Sequence, residues 1–187
     1  RASAQVNTDQ VMNIGRNAMY FEDYVLSIQY FNQVISMKPY LAEPYFYRAV
    51  AKLNLGDYKG AEEDCSLALS RNPFIIDAYQ VRGVARQTMR KYKEAIADYS
   101  SGLKQLPEHK NEANAYVLRS EIKMRYEDDV QSALNDMNEA IKLEPRYAGF
   151  FINRAFMKYK LDDYFGAMAD YDYALSLEPT NVTAYYN

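Results

Sequence analysis

Residues 53–73 read LNLGDYKGAEEDCSLALSRNP, and residues 159–179 read YKLDDYFGAMADYDYALSLEP. Laid over one another, the two stretches share Leu55 with Leu161, Asp57-Tyr58 with Asp163-Tyr164, and Ala61 with Ala167. They also share Asp64 with Asp170, Ala68 with Ala174, and a closing proline, Pro73 with Pro179. Other prolines carry the pattern outward. Pro39, Pro73, Pro107, Pro145 and Pro179 are separated by 34, 34, 38 and 34 residues. A fixed period of that size is the mark of stacked supersecondary units.

Each proline serves as a ruler. Twelve residues before it stands a small side chain (Ser27, Ala61, Ala95, Ala133, Ala167), and five before it a second, mostly small one (Val34, Ala68, Gly102, Ala140, Ala174). Between them, eight before the proline, sit Phe31, Cys65, Tyr99, Met137 and Tyr171, mostly larger. These spacings put all three positions on one helical face. Earlier in each unit an aromatic recurs at Tyr45, Tyr79, Tyr116 and Phe151, with Val11 in the first unit. One turn later comes a small residue: Gly15, Ala49, Gly83, Ser120 and Ala155. A bulky residue beside a small one lets two helix backbones approach closely. Each unit therefore reads as helix, short turn, helix. Gly56 suits a left-handed helix stop; Asp23, Asp57 and Asp163 stand at N-cap positions; the proline blocks continuation.

These residues resemble the tetratricopeptide repeat, with its aromatic, Leu-Gly, Tyr, Ala, aromatic, Ala and Pro in the same order and period. Five units match, at about residues 8–41, 42–75, 76–109, 113–147 and 148–181. The first departs most, with Val11, Ser27 and Val34. The resemblance implies an all-α fold, a right-handed superhelical solenoid of antiparallel helix pairs with a concave groove. The fourth unit carries four additional residues, about three in Glu108–Glu112 and one near Tyr126–Asp129, which predicts loops there. Residues 182–187 begin a sixth unit. Since terminal repeats usually need a polar cap, a longer native chain is expected. Residues 1–7 read as a leader remnant, Arg1-Ala2-Ser3-Ala4 ending in the Ala-x-Ala of a signal-peptide cleavage site before Gln5. The alternative is a chance run of small residues, so an exported or periplasmic location and a cytoplasmic one both stay open.

Composition excludes several function classes. Hydrophobic residues make up 49% and charged residues 25% of the 187, which fits a folded protein rather than a disordered tail. The net charge is −3 and no basic patch stands out, so nucleic acid is not an expected partner. No run approaches 18 apolar residues, so no membrane span is expected. One cysteine, Cys65, cannot form an internal disulfide or a zinc site, and it stands at an inward position. The one histidine, His109, falls in the polar insertion and reads as a surface residue. Glycine-rich phosphate loops and calcium-loop spacing are absent. The carboxylate runs Glu62-Glu63-Asp64 and Asp128-Asp129 read as outer-face or capping charge. The chain is read as a non-enzyme with no cofactor and no metal.

Two constellations remain. Arg48, Arg82, Arg119 and Arg154 share one repeat position, and Asp64, Asp98, Asp136 and Asp170 share another; the first unit has Ile14 and Tyr30 there instead. Joint presence and joint absence predict four structural Arg–Asp pairs, each within its own unit. By resemblance to the family, the groove is lined by first-helix positions outside the core: Met12, Arg16 and Met19; Phe46, Val50 and Leu53; Gln80, Val84 and Gln87; Val117, Glu121 and Met124; and Ile152, Phe156 and Tyr159. This apolar row implies a non-catalytic interaction scaffold that holds a protein or peptide segment. Family members that grip a C-terminal carboxylate use a Lys/Asn clamp; Met12, Arg16, Phe46 and Val50 stand there instead, which argues against that chaperone-linked role. Two alternatives are a substrate-recognition arm of a longer multidomain enzyme, and a self-assembly module associating end to end through an uncapped C-terminal repeat.

Overall fold

The structure is a computed structural model that describes residues 7–105 and 112–180. His109, the leader Arg1–Val6, the Glu108–Asn111 part of the insertion and the start of a sixth unit at Val182 lie outside the described residues. Every regular element among the described residues is an α-helix: α1 (Thr8–Tyr20), α2 (Tyr24–Met37), α3 (Glu43–Asn54), α4 (Tyr58–Arg71) and α5 (Ile76–Thr88), then α6 (Tyr92–Gln105), α7 (Glu112–Tyr126), α8 (Val130–Leu143), α9 (Ala148–Lys160) and α10 (Tyr164–Leu177). Backbone packing divides the chain into two compact units, with the division inside α6 between Asp98 and Tyr99. None of the described helices is long and apolar enough to cross a membrane.

The helix boundaries follow from side-chain chemistry. Asp23, Asp57, Asp129 and Asp163 each accept a hydrogen bond from a backbone N–H three residues on, at 2.9–3.1 Å, opening α2, α4, α8 and α10. Asn7 caps α1 by accepting from the Asp9 N–H, two residues on, at 3.0 Å. Four turns share a further device. Glu22, Gly56, Arg90 and Asp162 have φ of 61°, 81°, 63° and 62°, and the N–H of the next residue reaches the carbonyl five residues back. At the fourth turn Asp128 is left-handed, with φ 50°, but the Asp129 N–H reaches six residues back to Lys123. The extra residue of that unit is accommodated in this turn.

In the first compact unit, Val11, Met12, Phe31 and Val34 form a core cluster on which Met19, Tyr30, Leu41 and Tyr47 lie. A Cβ on Gly15 would stand 2.7 Å from Phe31 Cε1, so the α1 backbone rests directly against that ring. In the second, Met137, Ala140, Ile141, Phe150, Phe151 and Met157 are among the residues that close the core of α7–α10. Ala61, Ala95, Ala133 and Ala155 are fully buried, which is the small half of the large-and-small nesting.

Candidate functional site

Four arginines organise the faces between helices. Each donates to its own pair's aspartate through Nε and Nη2: Arg48 to Asp64 at 2.7 and 2.6 Å, Arg119 to Asp136 at 2.8 and 2.6 Å, and Arg154 to Asp170 at 2.8 and 2.7 Å. Arg82 reaches Asp98 at 2.7 Å through Nη2 and at 3.1 Å through Nε. Each guanidinium lies over the ring three residues earlier, Tyr45, Tyr79, Tyr116 or Phe151, with Cζ 5.2–5.7 Å from the ring centre. Two planar hydrogen bonds and a ring face fix the group in position as well as charge. Asp64, Asp98, Asp136 and Asp170 are at most 5% exposed.

Two layers of this arrangement escaped the sequence reading. One turn after each arginine a second cation joins the aspartate: Lys52 at 2.8 Å, Arg86 at 2.8 Å, Lys123 at 2.9 Å and Lys158 at 2.8 Å. The signal was present, because the first unit, lacking the arginine, has Ala18 there. The free arginine Nη1 reaches the preceding pair's second helix, at Asn32, Ser66, Ser100 or Asn138. Glu62 accepts from Arg86 at 2.9 Å and Lys91 at 2.8 Å. Glu62 and Asp64 are therefore not solvated outer-face charge, because the helix turns both toward cations of the neighbouring helices.

Electrostatics follow the same geometry. Burial opposes the charge of Asp170, but hydrogen bonds from Arg154 and Lys158 outweigh it and hold the carboxyl below its ordinary value. Glu62 behaves alike, burial being outweighed by Lys91 and Arg86. The hydrogen bond to Asp64 raises Arg48 against its desolvation. Cys65 is fully buried, and that burial pushes its thiol up to about 12.

The first-helix residues expected to line a groove meet different fates. Met12 is not available: its unbranched chain folds into the core beside Val11, Phe31 and Val34. Arg16 is exposed, with its guanidinium 5.2 Å above the Tyr47 ring. Those two residues, with Asn13, Asn17, Met19 and Tyr20, line a recess of about 650 Å³. Phe46 is half-buried and contacts Tyr47 at 5.4 Å between ring centres; Val50, Leu53, Gln80 and Val84 are also half-buried. In the second compact unit Val117, Glu121 and Ile152 come together with Glu144, Tyr147 and Phe150 around a recess of about 530 Å³. Phe156 is exposed beneath Lys160, and Tyr159 is exposed with its ring edge-on to Tyr164 at 5.4 Å.

A period-34 helix pair with these nesting positions defines a tetratricopeptide-repeat fold. MamA from Desulfovibrio magneticus RS-1 superposes with a TM-score of 0.84 at 19% identity, covering 96% of this chain and 99% of that one. YrrB, described as a TPR protein with an unusual peptide-binding site, gives 0.79 at 14% identity over 96% of this chain and 90% of its own. PilF of Pseudomonas aeruginosa gives 0.81 at 15% identity over 95% and 79%. At these identities the likeness is one of fold. No family model and no curated protein matches the sequence.

Proposed function

We propose that this chain is a non-catalytic interaction scaffold whose first-helix faces hold a segment of another protein or a peptide. The observation that carries the reading is the recess lined by Val117, Phe150 and Ile152. Phe150 belongs to the core of α7–α10, while Val117 and Ile152 pack against that core only partly buried and leave apolar surface open at the recess. An extended or helical segment buries that surface, with aromatic neighbours as anchors. YrrB, of the same fold, is described as having an unusual peptide-binding site. The non-catalytic part rests on the chemistry of the side chains. A thiol raised to about 12 is not a nucleophile at neutral pH, and the buried carboxylates are saturated by two or three cationic donors each.

The test uses peptides selected against the whole chain from a displayed library. Val117→Ala with Ile152→Ala is expected to weaken the selected peptides about tenfold, equivalent to 1.4 kcal/mol, with an unchanged circular dichroism spectrum. Phe46→Ala with Tyr159→Ala tests the remaining faces in the same way. Affinities unmoved by both double variants would remove the first-helix faces as the binding surface.

A further inference from the structure

Two repeat positions change sign along the chain. The first unit has Arg16 and Lys38 there, the second Val50 and Asn72, and the third Val84 and Leu106. The fourth has Glu121 and Glu144, and the last Phe156 and Glu178. Basic, neutral and acidic side chains all serve in one backbone plan, so the fold does not call for the two glutamates of the fourth unit. Both border the recess of about 530 Å³ that α7 and α9 line, and none of its lining residues is basic. Glu121 is half-buried, yet neither carboxylate has a hydrogen bond or ion pair among the described residues. Glu62, Asp64, Asp98, Asp136 and Asp170 differ, since each faces two cations. Val117 and Ile152 are the apolar half of the recess. Tyr147, 55% exposed, stands beside them with its ring centre 4.7 Å from that of Phe150.

Resting on the reading that this recess holds a peptide, we infer that the side chain it takes is an arginine. The guanidinium meets Glu121 and Glu144, while the methylene stem lies along Val117 and Ile152. Three features select it. Covering Glu121 with an apolar side chain strips water from an unpaired carboxylate, a penalty that an incoming cation removes. The Asn114 and Asn153 carboxamides line the same recess and can accept further N–H groups. Five donors in one plane use that set of acceptors more fully than the three of a lysine ammonium. The Tyr147 ring adds a face on which a guanidinium stacks. An acidic segment is repelled by the same two carboxylates.

The probe is a library of random linear peptides displayed on phage and selected on the whole chain at low salt, its members then synthesised with blocked termini. Peptides weakened by Val117→Ala with Ile152→Ala are those that use the recess, and they are expected to share an arginine. Citrulline in its place keeps the shape, removes the charge and should weaken them about tenfold. Glu121→Gln with Glu144→Gln in the chain should do the same. Glu63→Gln with Glu94→Gln removes as much charge from exposed positions outside the recess and should leave affinity unchanged. Selection on a Glu121→Lys, Glu144→Lys chain should yield acidic peptides instead. Recess-dependent peptides that lack an arginine, or are indifferent to citrulline, overturn the inference and leave the recess as a peptide site. Equal losses in the two glutamine variants also overturn it, as general attraction to an acidic chain. If no selected peptide depends on Val117 and Ile152, the recess holds no peptide and both readings of it fall.

Discussion

Helix pairs α1–α2 and α9–α10 follow one plan and are held by different chemistry. In the last pair Arg154 and Lys158 converge on Asp170, with Phe151 under the guanidinium. In the first, the corresponding residues are Ile14, Ala18 and Tyr30, and no charge is buried there. Yet α1 and α2 also close on one another, with the Gly15 backbone directly against the Phe31 ring. The comparison separates two jobs. Nesting of large against small brings two helices of a pair together, whether or not the ion cluster exists. The arginine adds an arm that reaches backward, since Arg154 Nη1 donates to Asn138 of the preceding pair.

If the clusters matter where they occur, the largest effect belongs to the loss of one carboxylate. Asp98 accepts from Arg82 and Arg86 and is 2% exposed. Asp98→Ala leaves two guanidinium groups facing each other in a partly desolvated site, a change that costs about 3–5 kcal/mol in buried pairs. The lower end is expected, because both arginines retain some contact with water. A urea melt that overlays the wild type would show the cluster to be energetically idle. Tyr30→Ala in the first pair is the control, read in the same melt.

Acid titration sharpens the contrast next. The Asp170 carboxyl sits below its unfolded value, so the folded state binds its proton less readily than the unfolded chain does. Its contribution is present above the unfolded value and disappears as pH falls through the folded one. Asp170→Asn should therefore flatten the acid limb of a urea-midpoint-against-pH curve while lowering its neutral plateau. A variant curve parallel to wild type from neutral pH into acid would show that Asp170 is not an acid-labile contact.

What the sequence disclosed depends on whether a residue type is tied to its job. Repeated arginines and aspartates betray a partnership because both vanish together at Ile14 and Tyr30. Capping aspartates are legible because few side chains can accept from a helix N-terminus. The second cation was readable by the same logic at Ala18 and went unread. Met12 was misplaced because its spacing equals that of Phe46, while its flexible thioether lets it turn inward. The left-handed turns were nearly silent. Only Gly56 advertises one, and Glu22, Arg90 and Asp162 adopt the same backbone under tertiary constraint. That yields a smaller prediction. Glu22→Gly should stabilise the first pair by at most about 1 kcal/mol in thermal melts, since a left-handed non-glycine residue carries a penalty of that order. A lower melting temperature would mean that the glutamate side chain supports the turn.

The smallest effect is expected from the most drastic change, the conversion of the last pair into the first. Arg154→Ile, Lys158→Ala and Asp170→Tyr together remove every charge from the cluster and leave none of them buried alone. Replacing a whole buried ion group by apolar residues is often neutral or stabilising, whereas removing one member is not. The triple variant should fall within about 1 kcal/mol of wild type, even though Asp170→Ala alone should lose about 3. The residual deficit should trace to Asn138, which would lose its donor from Arg154. Asn138→Ala in the triple background should then be nearly silent, while in the wild type it removes a hydrogen bond to a charged group, worth about 1.5–3 kcal/mol. A triple variant as damaged as the single one would show that the ion cluster, and not the nesting of rings against small side chains, holds α9 to α10. The first pair would then have to be held by something its Ile14 and Tyr30 supply directly.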